Sequence, residues 1–410
     1  MTTPSPRCRL CGRGLRVTFV DLGMSPLCER FLRADQLNQM EPYYPLHVRA
    51  CEECLLVQLE AYVEAEAIFR DYAYFSSYST SWVEHARVFA ERMIEELSLG
   101  ASSLVVELAS NDGYLLRHFV QSGVTSLGID PAANVAEAAE RAGVNTIVDF
   151  FDSRLATRLV GERGHADLVV ANNVLAQVPE LNDFVEGMRI LLAPNGIASV
   201  EVPHLMRLVE GLQFDTIYHE HYSYFSFHTL VHLFAEHGLE VFDVEELRSH
   251  GGSLRVFVRH PAGTPRDTVR ELLDREADAG FDTVAGYRGF DERVAEAKWS
   301  LLQLLIDVRR DGSSVAAYGA PGKGNTLLNY CGIGPDLIEY TVDRNPGKHG
   351  MFLPGSHIPI YPPEHLAETQ PDFIVILPWN LQREIMAQLE YVHEWGARMI
   401  VPIPQPEVLA

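Results

Sequence analysis

The sequence has little positive charge, no long apolar run and few cysteines. Its 33 lysines and arginines stand against 56 aspartates and glutamates, which gives a formal net charge of -23. This balance disfavours general binding to nucleic acids or anionic membranes, whose phosphates need basic partners. No stretch reaches the roughly 18 apolar residues that cross a bilayer, and the first residues lack the apolar core of a signal peptide. We therefore expect a cytoplasmic protein with neither nucleic-acid nor membrane partners.

Four of the six cysteines form two CxxC pairs. Cys8 and Cys11 make the first pair, and Cys51 and Cys54 make the second. Each CxxC lets two thiolates reach one ion from a tight turn, and two such turns complete a tetrahedral zinc site. Because four protein ligands leave no open position for a reactant, we predict a structural zinc ion. A redox dithiol pair and four unrelated buried cysteines are the alternatives, and the other two cysteines are expected to be ordinary buried thiols.

Short apolar runs alternate with helical stretches in two parts of the chain. Strands that alternate with helices predict βαβ units and parallel sheets, so the sequence predicts an α/β fold with two such units. A charged helical stretch from about 265 to 311 connects them. The runs SVAAYGA, IEYTVD, DFIVILP and ARMIVP are the predicted strands of the second unit. The predicted strands of the first unit are 104–109, 126–129, 167–172 and 197–202.

The turn after the first of these strands is typical of a methyl-donor site. In Rossmann-like methyltransferases this turn passes under the methionine part of the cofactor, where a bulky side chain would clash. The predicted cofactor contacts here are Glu107, Ala109, Asn111 and Gly113. Asp130 ends the next strand about 20 residues later, where a carboxylate accepts both ribose hydroxyls.

Two further pairs of residues follow later strands. Asp149 and Phe150 come after a further strand, the third in chain order and before the fourth at 167–172, where an adenine finds a polar partner and an apolar face. Asn172 and Asn173 end the fourth strand, at the carboxyl edge where ligands lie in open α/β sheets. Together these positions predict an S-adenosylmethionine site. A nicotinamide-dependent dehydrogenase uses the same acid but needs a GxGxxG turn that is missing here, and a domain that binds nothing is the other alternative.

A polar and aromatic cluster, YHEHYSY, follows the fifth strand. Tyr218, Glu220 and His221 supply a phenolic donor, an orienting carboxylate and a base, which suits enolate chemistry. A metal cluster or a simple covering loop are the alternatives. The upstream run DYAYFSSYS, with Tyr72 and Tyr74, predicts a lid over a polar ring, although packing alone would also account for it.

Long motifs in one order carry a resemblance that spans nearly the whole chain. They are the paired CxxC, ELASNDGYLL, YHEHYSYFS, HGGSLRV, YGAPGKGNTLLNY and VDRNPGKHG. The chain resembles the bacterial nucleotide-sugar C-methyltransferases of antibiotic deoxysugar pathways, which methylate C3 of a dTDP-4-keto-deoxyhexose. The resemblance implies an N-terminal zinc domain, a central S-adenosylmethionine domain, and a C-terminal Rossmann-like domain that holds the sugar nucleotide without binding a second dinucleotide.

The resemblance also implies catalytic roles. Tyr218, Glu220 and His221 match the family's catalytic group, with Tyr72 as an upstream partner, and the histidine takes the C3 proton to give an enolate that attacks the methyl group. One position departs from the family pattern, because Gln177 stands where relatives carry a histidine. Glutamine donates a hydrogen bond but does not shuttle a proton near neutral pH, so it is expected to position an oxygen.

Further residues are expected to contact the substrate. Lys323 and Asn325 lie in a glycine-rich turn that opens a helix, a suitable geometry for an anion, and Arg344 offers a planar fork for phosphate oxygens. A Rossmann unit that binds nothing is the alternative. Tyr74 and Ser253, which belong to the aromatic run and to HGGSLRV, complete the predicted contacts.

The expected organisation is a zinc module over 1–70, a methyl-donor domain over 71–265, and a connector with a Rossmann-like substrate domain over 266–410, in a monomer or weak homo-oligomer. The expected function is C3 methylation of a dTDP-linked 4-keto-deoxysugar through an enolate. O- or N-methylation of another small natural product and a nicotinamide-binding redox protein are the alternatives.

Overall fold

A computed structural model of the 410-residue chain describes residues 6–70 and 75–409. Thirteen of the strands form a seven-stranded and a six-stranded sheet, and the others pair outside these two sheets. In chain order the strands are β1 (Val17–Ser25), β2 (Tyr44–Ala50), β3 (Val57–Leu59), β4 (Leu104–Leu108), β5 (Thr125–Ile129), β6 (Thr146–Ile147), β7 (Ala166–Asn172), β8 (Leu192–Pro203), β9 (Ser223–Tyr224), β10 (Glu240–Leu247), β11 (Ser253–Arg259), β12 (Val315–Tyr318), β13 (Thr341–Val342), β14 (Ile360–Tyr361), β15 (Phe373–Ile376), β16 (Arg398–Val401) and β17 (Glu407–Leu409).

The helices alternate with these strands for most of the chain. They are α1 (Ala65–Phe69), α2 (Thr80–Glu96), α3 (Leu116–Gln121), α4 (Ala133–Arg141), α5 (Ser153–Arg163), α6 (Leu181–Leu191), α7 (Leu205–Glu210), α8 (Phe227–Glu236), α9 (Asp267–Asp278), α10 (Phe290–Arg310), α11 (Gly322–Cys331), α12 (His365–Thr369) and α13 (Gln382–Gln388). Among the described residues, none of these helices is long and apolar enough to cross a membrane.

The chain forms two compact units, and the first contains Met1–Arg16, Ala50–Leu205 and Tyr222–Gly286. Its seven-stranded sheet has the order β10-β11-β8-β7-β4-β5-β6. The five strands from β8 to β6 run parallel, whereas β11 runs antiparallel to both of its neighbours, β8 and β10. Parallel strands are covered on both faces, which explains their nearly continuous apolar sequences. The register sets Asn172 beside Glu201, so the carboxyl ends of β7 and β8 meet at one edge of the sheet.

Helices bury their apolar faces on both sides of this sheet. One core cluster includes Leu155 of α5, Phe184 of α6 and Leu230 of α8, and another includes Phe89 of α2 and Phe119 of α3. All five side chains are buried. The sheet edge that carries the strand ends is therefore held by a rigid core on each face.

The second unit contains Val17–Arg49, Met206–His221 and Tyr287–Ala410. Its six-stranded sheet has the order β14-β13-β12-β15-β16-β17, in which β17 alone is antiparallel to its neighbour. The predicted α/β class with two Rossmann-like sheets is confirmed. The domain boundaries inferred from the sequence stay predictions.

Candidate functional site

The four paired cysteines come together in the first unit. Their sulfur atoms all lie within 4.8 Å of one another, and the pairs Cys8–Cys54 and Cys11–Cys51 are each 3.5 Å apart. Four sulfur ligands at about 2.3 Å from a tetrahedral zinc ion are themselves about 3.8 Å apart, so this arrangement fits zinc. Gln58 donates an amide hydrogen bond to the Cys8 sulfur at 3.1 Å and helps to orient it.

The predicted cofactor turn is tight and left-handed at three positions. Ala109, Asn111 and Gly113 have φ values of 57°, 49° and 75°, a region that L side chains adopt rarely. At Gly113 a Cβ atom would lie 2.9 Å from a side-chain carbon of Val144, so a larger residue would not fit. The turn therefore brings its backbone close to whatever lies over the carboxyl end of β4.

The acid predicted for the ribose lies directly beneath this turn. Asp130 is buried, and its two carboxylate oxygens accept backbone hydrogen bonds from Asn111 and Ala132, each at 2.9 Å. Burial raises the pKa of Asp130 to about 6, although these hydrogen bonds oppose the shift. Only the ionised carboxylate can accept hydrogen bonds through both oxygens without donating one. The ability of Asp130 to bind two hydroxyl groups therefore changes within a physiological pH range.

Orphaned polar atoms mark the rest of the carboxyl edge. Glu107 is fully buried, and burial raises its pKa well above 4.5, with the charges of Asp130 and a neighbouring aspartate adding to the shift. The Asn172 amide oxygen and both amide atoms of Asn173 are buried, and no hydrogen bond to them is found in residues 6–70 and 75–409. Buried polar groups are normally satisfied, so these groups fit a polar ligand such as the cofactor.

Asp149 and Phe150 follow β6 as the sequence predicts. Both are half-buried, and the Asp149 carboxylate accepts the Phe150 backbone N–H at 3.0 Å. Their contact with an adenine stays a prediction.

The segment before α2 is anchored on the cofactor turn, which sequence reasoning missed. The Ser76 backbone N–H donates to the Asn111 side chain at 2.9 Å, and the Ser77 N–H donates to the Asp112 carboxylate at 3.1 Å. The predicted lid residues Tyr72 and Tyr74 belong to the same aromatic run but lie outside the described residues.

In the second unit, the predicted base has a defined tautomer. His221 Nδ1 lies 2.8 Å from the carbonyl oxygen of Thr216, and because a carbonyl only accepts, Nδ1 carries the hydrogen. The neutral ring then has its lone pair on Nε2. The Tyr218 ring packs against the imidazole with centroids 4.1 Å apart, and both side chains are half-buried.

The carboxylate of Glu220 in the same loop has a partner that the sequence did not indicate. The Cys28 thiol donates to Glu220 at 3.8 Å. Burial raises the pKa of Cys28 well above 9, and the negative charge of Glu220 adds to the shift, so the thiol stays protonated and remains a donor. The orienting partner that we see at His221 Nδ1 is the Thr216 carbonyl.

Two of the three predicted phosphate contacts of the second unit, Lys323 and Asn325, are engaged within that unit. Lys323 is bound to the Asn380 amide oxygen at 2.8 Å, and its ammonium lies 4.9 Å from the centre of the Trp379 ring. Burial lowers the pKa of Lys323. The Asn325 amide donates to the Cys28 carbonyl at 2.6 Å. Their role as substrate contacts stays a prediction.

The three other predicted residues occupy different environments. Arg344 is exposed beyond the end of β13. Ser253 is buried at the start of β11, where its hydroxyl donates to the Ser249 carbonyl at 3.1 Å. Gln177 is half-buried in the first unit, at the end of a short 3-10 helix that follows β7. Gln177 and Ser253, whose register partner is Pro203 at the end of β8, both lie near the carboxyl edge of the first sheet.

The Asp130 interpretation predicts a pH-dependent affinity. We expect Asp130→Ala to weaken S-adenosylmethionine binding by about 1.5–3 kcal/mol for each charged hydrogen bond lost. In the unmodified protein, affinity falls as the pH drops through about 6, because protonation removes the acceptor that the hydroxyls need. Calorimetric titration across this range measures both effects.

The matched control for Asp130 is Glu137→Ala, an acid on the exposed face of α4 with a 71% exposed side chain. It should leave affinity and its pH dependence unchanged. Unchanged affinity in Asp130→Ala, or tight NADH binding, would mean that this turn is not a methyl-donor site.

Three family models match successive parts of the chain. They are the zinc binding domain at residues 8–69, the methyltransferase domain at 82–244 and the C-methyltransferase C-terminal domain at 248–404. C-methyltransferase NovU of Streptomyces niveus is 38% identical over 409 residues, which cover 99% of this chain and 97% of that protein.

Solved methyltransferase structures resemble part of the chain. Magnesium protoporphyrin IX methyltransferase ChlM from Synechocystis PCC 6803, with bound SAM, is 12% identical and covers 50% of this chain and 100% of its own, with a TM-score of 0.36. The 1,6-didemethyltoxoflavin-N1-methyltransferase of Burkholderia thailandensis is 15% identical and covers 50% of this chain and 95% of its own, with a TM-score of 0.34.

Proposed function

This chain belongs to the S-adenosylmethionine-dependent C-methyltransferase family that carries a zinc-binding domain, and we propose that its acceptor is a nucleotide-linked keto sugar. We propose further that the acceptor is a dTDP-linked 4-keto-deoxysugar, that the methyl group goes to C3, and that the product enters the biosynthesis of an antibiotic sugar. The full-length likeness to a C-methyltransferase and the enolate-forming residues support this proposal.

The observation that carries the proposal is the tautomer of His221. A proton beside a ketone is too weakly acidic to leave unaided, so the enzyme needs a base whose lone pair can accept it. The hydrogen bond from Nδ1 to Thr216 leaves that pair on Nε2 of the neutral ring. O-methylation of a hydroxyl group needs no carbon base of this kind.

Proton transfer to His221 leaves an electron pair on the sugar carbon, delocalised onto the ketone oxygen as an enolate. Tyr218, with Tyr72 as its upstream partner, donates a hydrogen bond where this negative charge develops. Glu220 stabilises the imidazolium that forms. When bound, S-adenosylmethionine would supply an electrophilic methyl group, whose S–CH₃ bond pair would stay on sulfur to give S-adenosylhomocysteine.

The remaining roles are supporting ones. Gln177 contributes a neutral hydrogen bond to an oxygen of the acceptor, because an amide has no proton to give up near neutral pH. The zinc ion is structural, since four cysteines fill its coordination sphere.

The test compares two acceptors that differ only at C4. We expect methyl transfer to a dTDP-linked 4-keto-6-deoxysugar and none to the same dTDP-linked 6-deoxysugar with a hydroxyl at C4, because a hydroxyl at C4 leaves the neighbouring proton far too weakly acidic. Transfer of radiolabelled methyl groups measures both reactions. Equal transfer to the two acceptors, or transfer to neither, would contradict the proposed acceptor class.

A further inference from the structure

A buried carboxylate in the first unit gathers three donors at the end of β8. Glu201 accepts hydrogen bonds from His85 Nε2 at 3.0 Å, from an Arg255 Nη2 at 3.0 Å and from the Ser249 hydroxyl at 2.7 Å. We call these four residues the Glu201 cluster. None of the four is a predicted catalytic or cofactor-binding residue, so the proposed function leaves the role of the cluster unexplained.

Two members of the cluster, Glu201 and Arg255, are shielded from solvent. Their side chains are 0% and 5% exposed, and the Arg255 guanidinium lies 4.4 Å from the centre of the Phe89 ring. Burial alone would raise the pKa of Glu201, but the hydrogen bond from His85 and the charge of Arg255 outweigh burial and hold it below 4.5. Because the charge of the buried Glu201 carboxylate is balanced by its hydrogen-bond partners, the carboxylate holds those partners in one geometry.

The imidazole of His85 is 27% exposed, in contrast to the buried side chains of Glu201 and Arg255. Its ring stacks on Trp82, with centroids 4.9 Å apart and planes inclined by 17°. Its Nε2 contacts Glu201 and Arg255, whereas its Nδ1 has no hydrogen-bond partner within the part of the chain that the structure describes. One ring nitrogen is therefore held and the other remains available to a ligand.

The position of the cluster favours the acceptor over the methyl donor. Glu201 is the register partner of Asn172 at the carboxyl edge of the sheet. Asp130, the proposed ribose ligand, directly follows β5, and the sheet order places β4 and β7 between β5 and β8. Three inter-strand steps amount to about 14 Å, so the cluster lies well away from the ribose end of the cofactor.

We propose that His85 is a further substrate-binding residue, whose Nδ1 hydrogen-bonds an oxygen-bearing group of the acceptor sugar while Glu201 and Arg255 hold its Nε2. The inference rests on the proposed function for the nature of the acceptor. Because Nε2 donates to Glu201, Nδ1 of the neutral ring carries the lone pair and accepts a hydrogen bond from a sugar hydroxyl. Glu201 is then a positioning residue that acts through the imidazole.

Two substitutions distinguish the roles of the two ring nitrogens of His85. In His85→Gln the longer amide reaches the position of Nε2 and keeps the contact with Glu201, but nothing replaces Nδ1. In His85→Asn the shorter amide replaces Nδ1 and loses the contact with Glu201. We expect His85→Gln to raise the KM for the keto-sugar acceptor about 10-fold, as loss of one hydrogen bond does, and to leave the melting temperature unchanged. His85→Asn should lose less acceptor affinity but melt at a lower temperature.

The control is His165→Asn, at an exposed histidine that immediately precedes β7 and so lies at the opposite, amino edge of the sheet. It should match the unmodified enzyme in KM, and all variants should bind S-adenosylhomocysteine with unchanged affinity. Unchanged acceptor KM in His85→Gln would overturn the inference and make the cluster structural. Weakened S-adenosylhomocysteine binding would overturn it by making His85 a cofactor contact. Failure of the proposed function would appear instead as absent turnover in the unmodified enzyme.

Discussion

We expect His221→Asn to lower methyl transfer by about 10²- to 10⁴-fold, the usual contribution of a general base. It should also abolish exchange of the proton at the methylated carbon, because exchange and methylation share the same first step. The measurement is loss of that proton signal in D₂O, with S-adenosylhomocysteine filling the cofactor site. Binding of dTDP and of S-adenosylhomocysteine should persist, since the substitution removes a base and not a binding group.

Two variants make this result specific to the base. His219, two residues earlier, is buried, and burial lowers its pKa to about 4, so it stays neutral; its Nε2 lies 3.3 Å from the Tyr44 carbonyl. His219→Gln keeps a donor for that carbonyl and should retain activity within a few-fold. Gln177→Ala should cost less than His221→Asn. Near-normal turnover or exchange in His221→Asn would rule out His221 as the base.

The second large effect concerns folding. Cys51→Ser or Cys54→Ser should abolish soluble, folded protein, and the unmodified chain should retain one zinc ion through purification. Structural zinc binding contributes about 10–16 kcal/mol in small zinc domains, whereas a whole domain is stable by only about 5–15 kcal/mol. Elemental analysis and thermal unfolding monitored by circular dichroism measure the two results.

Cys331→Ser is the matched control, because Cys331 is buried and lies outside the four-cysteine group. It should keep its zinc and fold with at most a modest loss of stability. A purified protein without zinc, together with a folded Cys51→Ser variant, would show that the four thiols do not form a structural metal site.

The sheet and the position of Asp130 next to the turn after β4 could be predicted because their signals are local. Apolar strands such as LVVEL follow from a run of neighbouring residues, and Asp130 lies one βαβ unit after the turn that donates to it. The four-cysteine group could also be predicted, because each CxxC is a short local pattern and a pair of them is typical of a zinc site.

Partners that are distant in the sequence could not be predicted. Asn325 lies 297 residues from the Cys28 carbonyl to which it donates, and Cys28 lies 192 residues from Glu220. The sequence suggested a phosphate for Asn325 because a glycine-rich helix start is a local anion signal. It gave no sign that the side-chain amide would donate to the Cys28 carbonyl, because that depends on how distant segments pack. His85 and Glu201, 116 residues apart, were missed for the same reason.

The central claim is that this enzyme forms a carbon–carbon bond on a keto sugar, and the position of the new methyl group tests it most directly. The unmodified enzyme, incubated with S-adenosylmethionine carrying a ¹³C-labelled methyl group and a dTDP-linked 4-keto-deoxysugar, gives a product whose label is read by two-dimensional NMR. The account predicts a methyl signal bonded to ring carbon C3 with the C3 proton lost from that position. A methyl signal bonded to oxygen would contradict it.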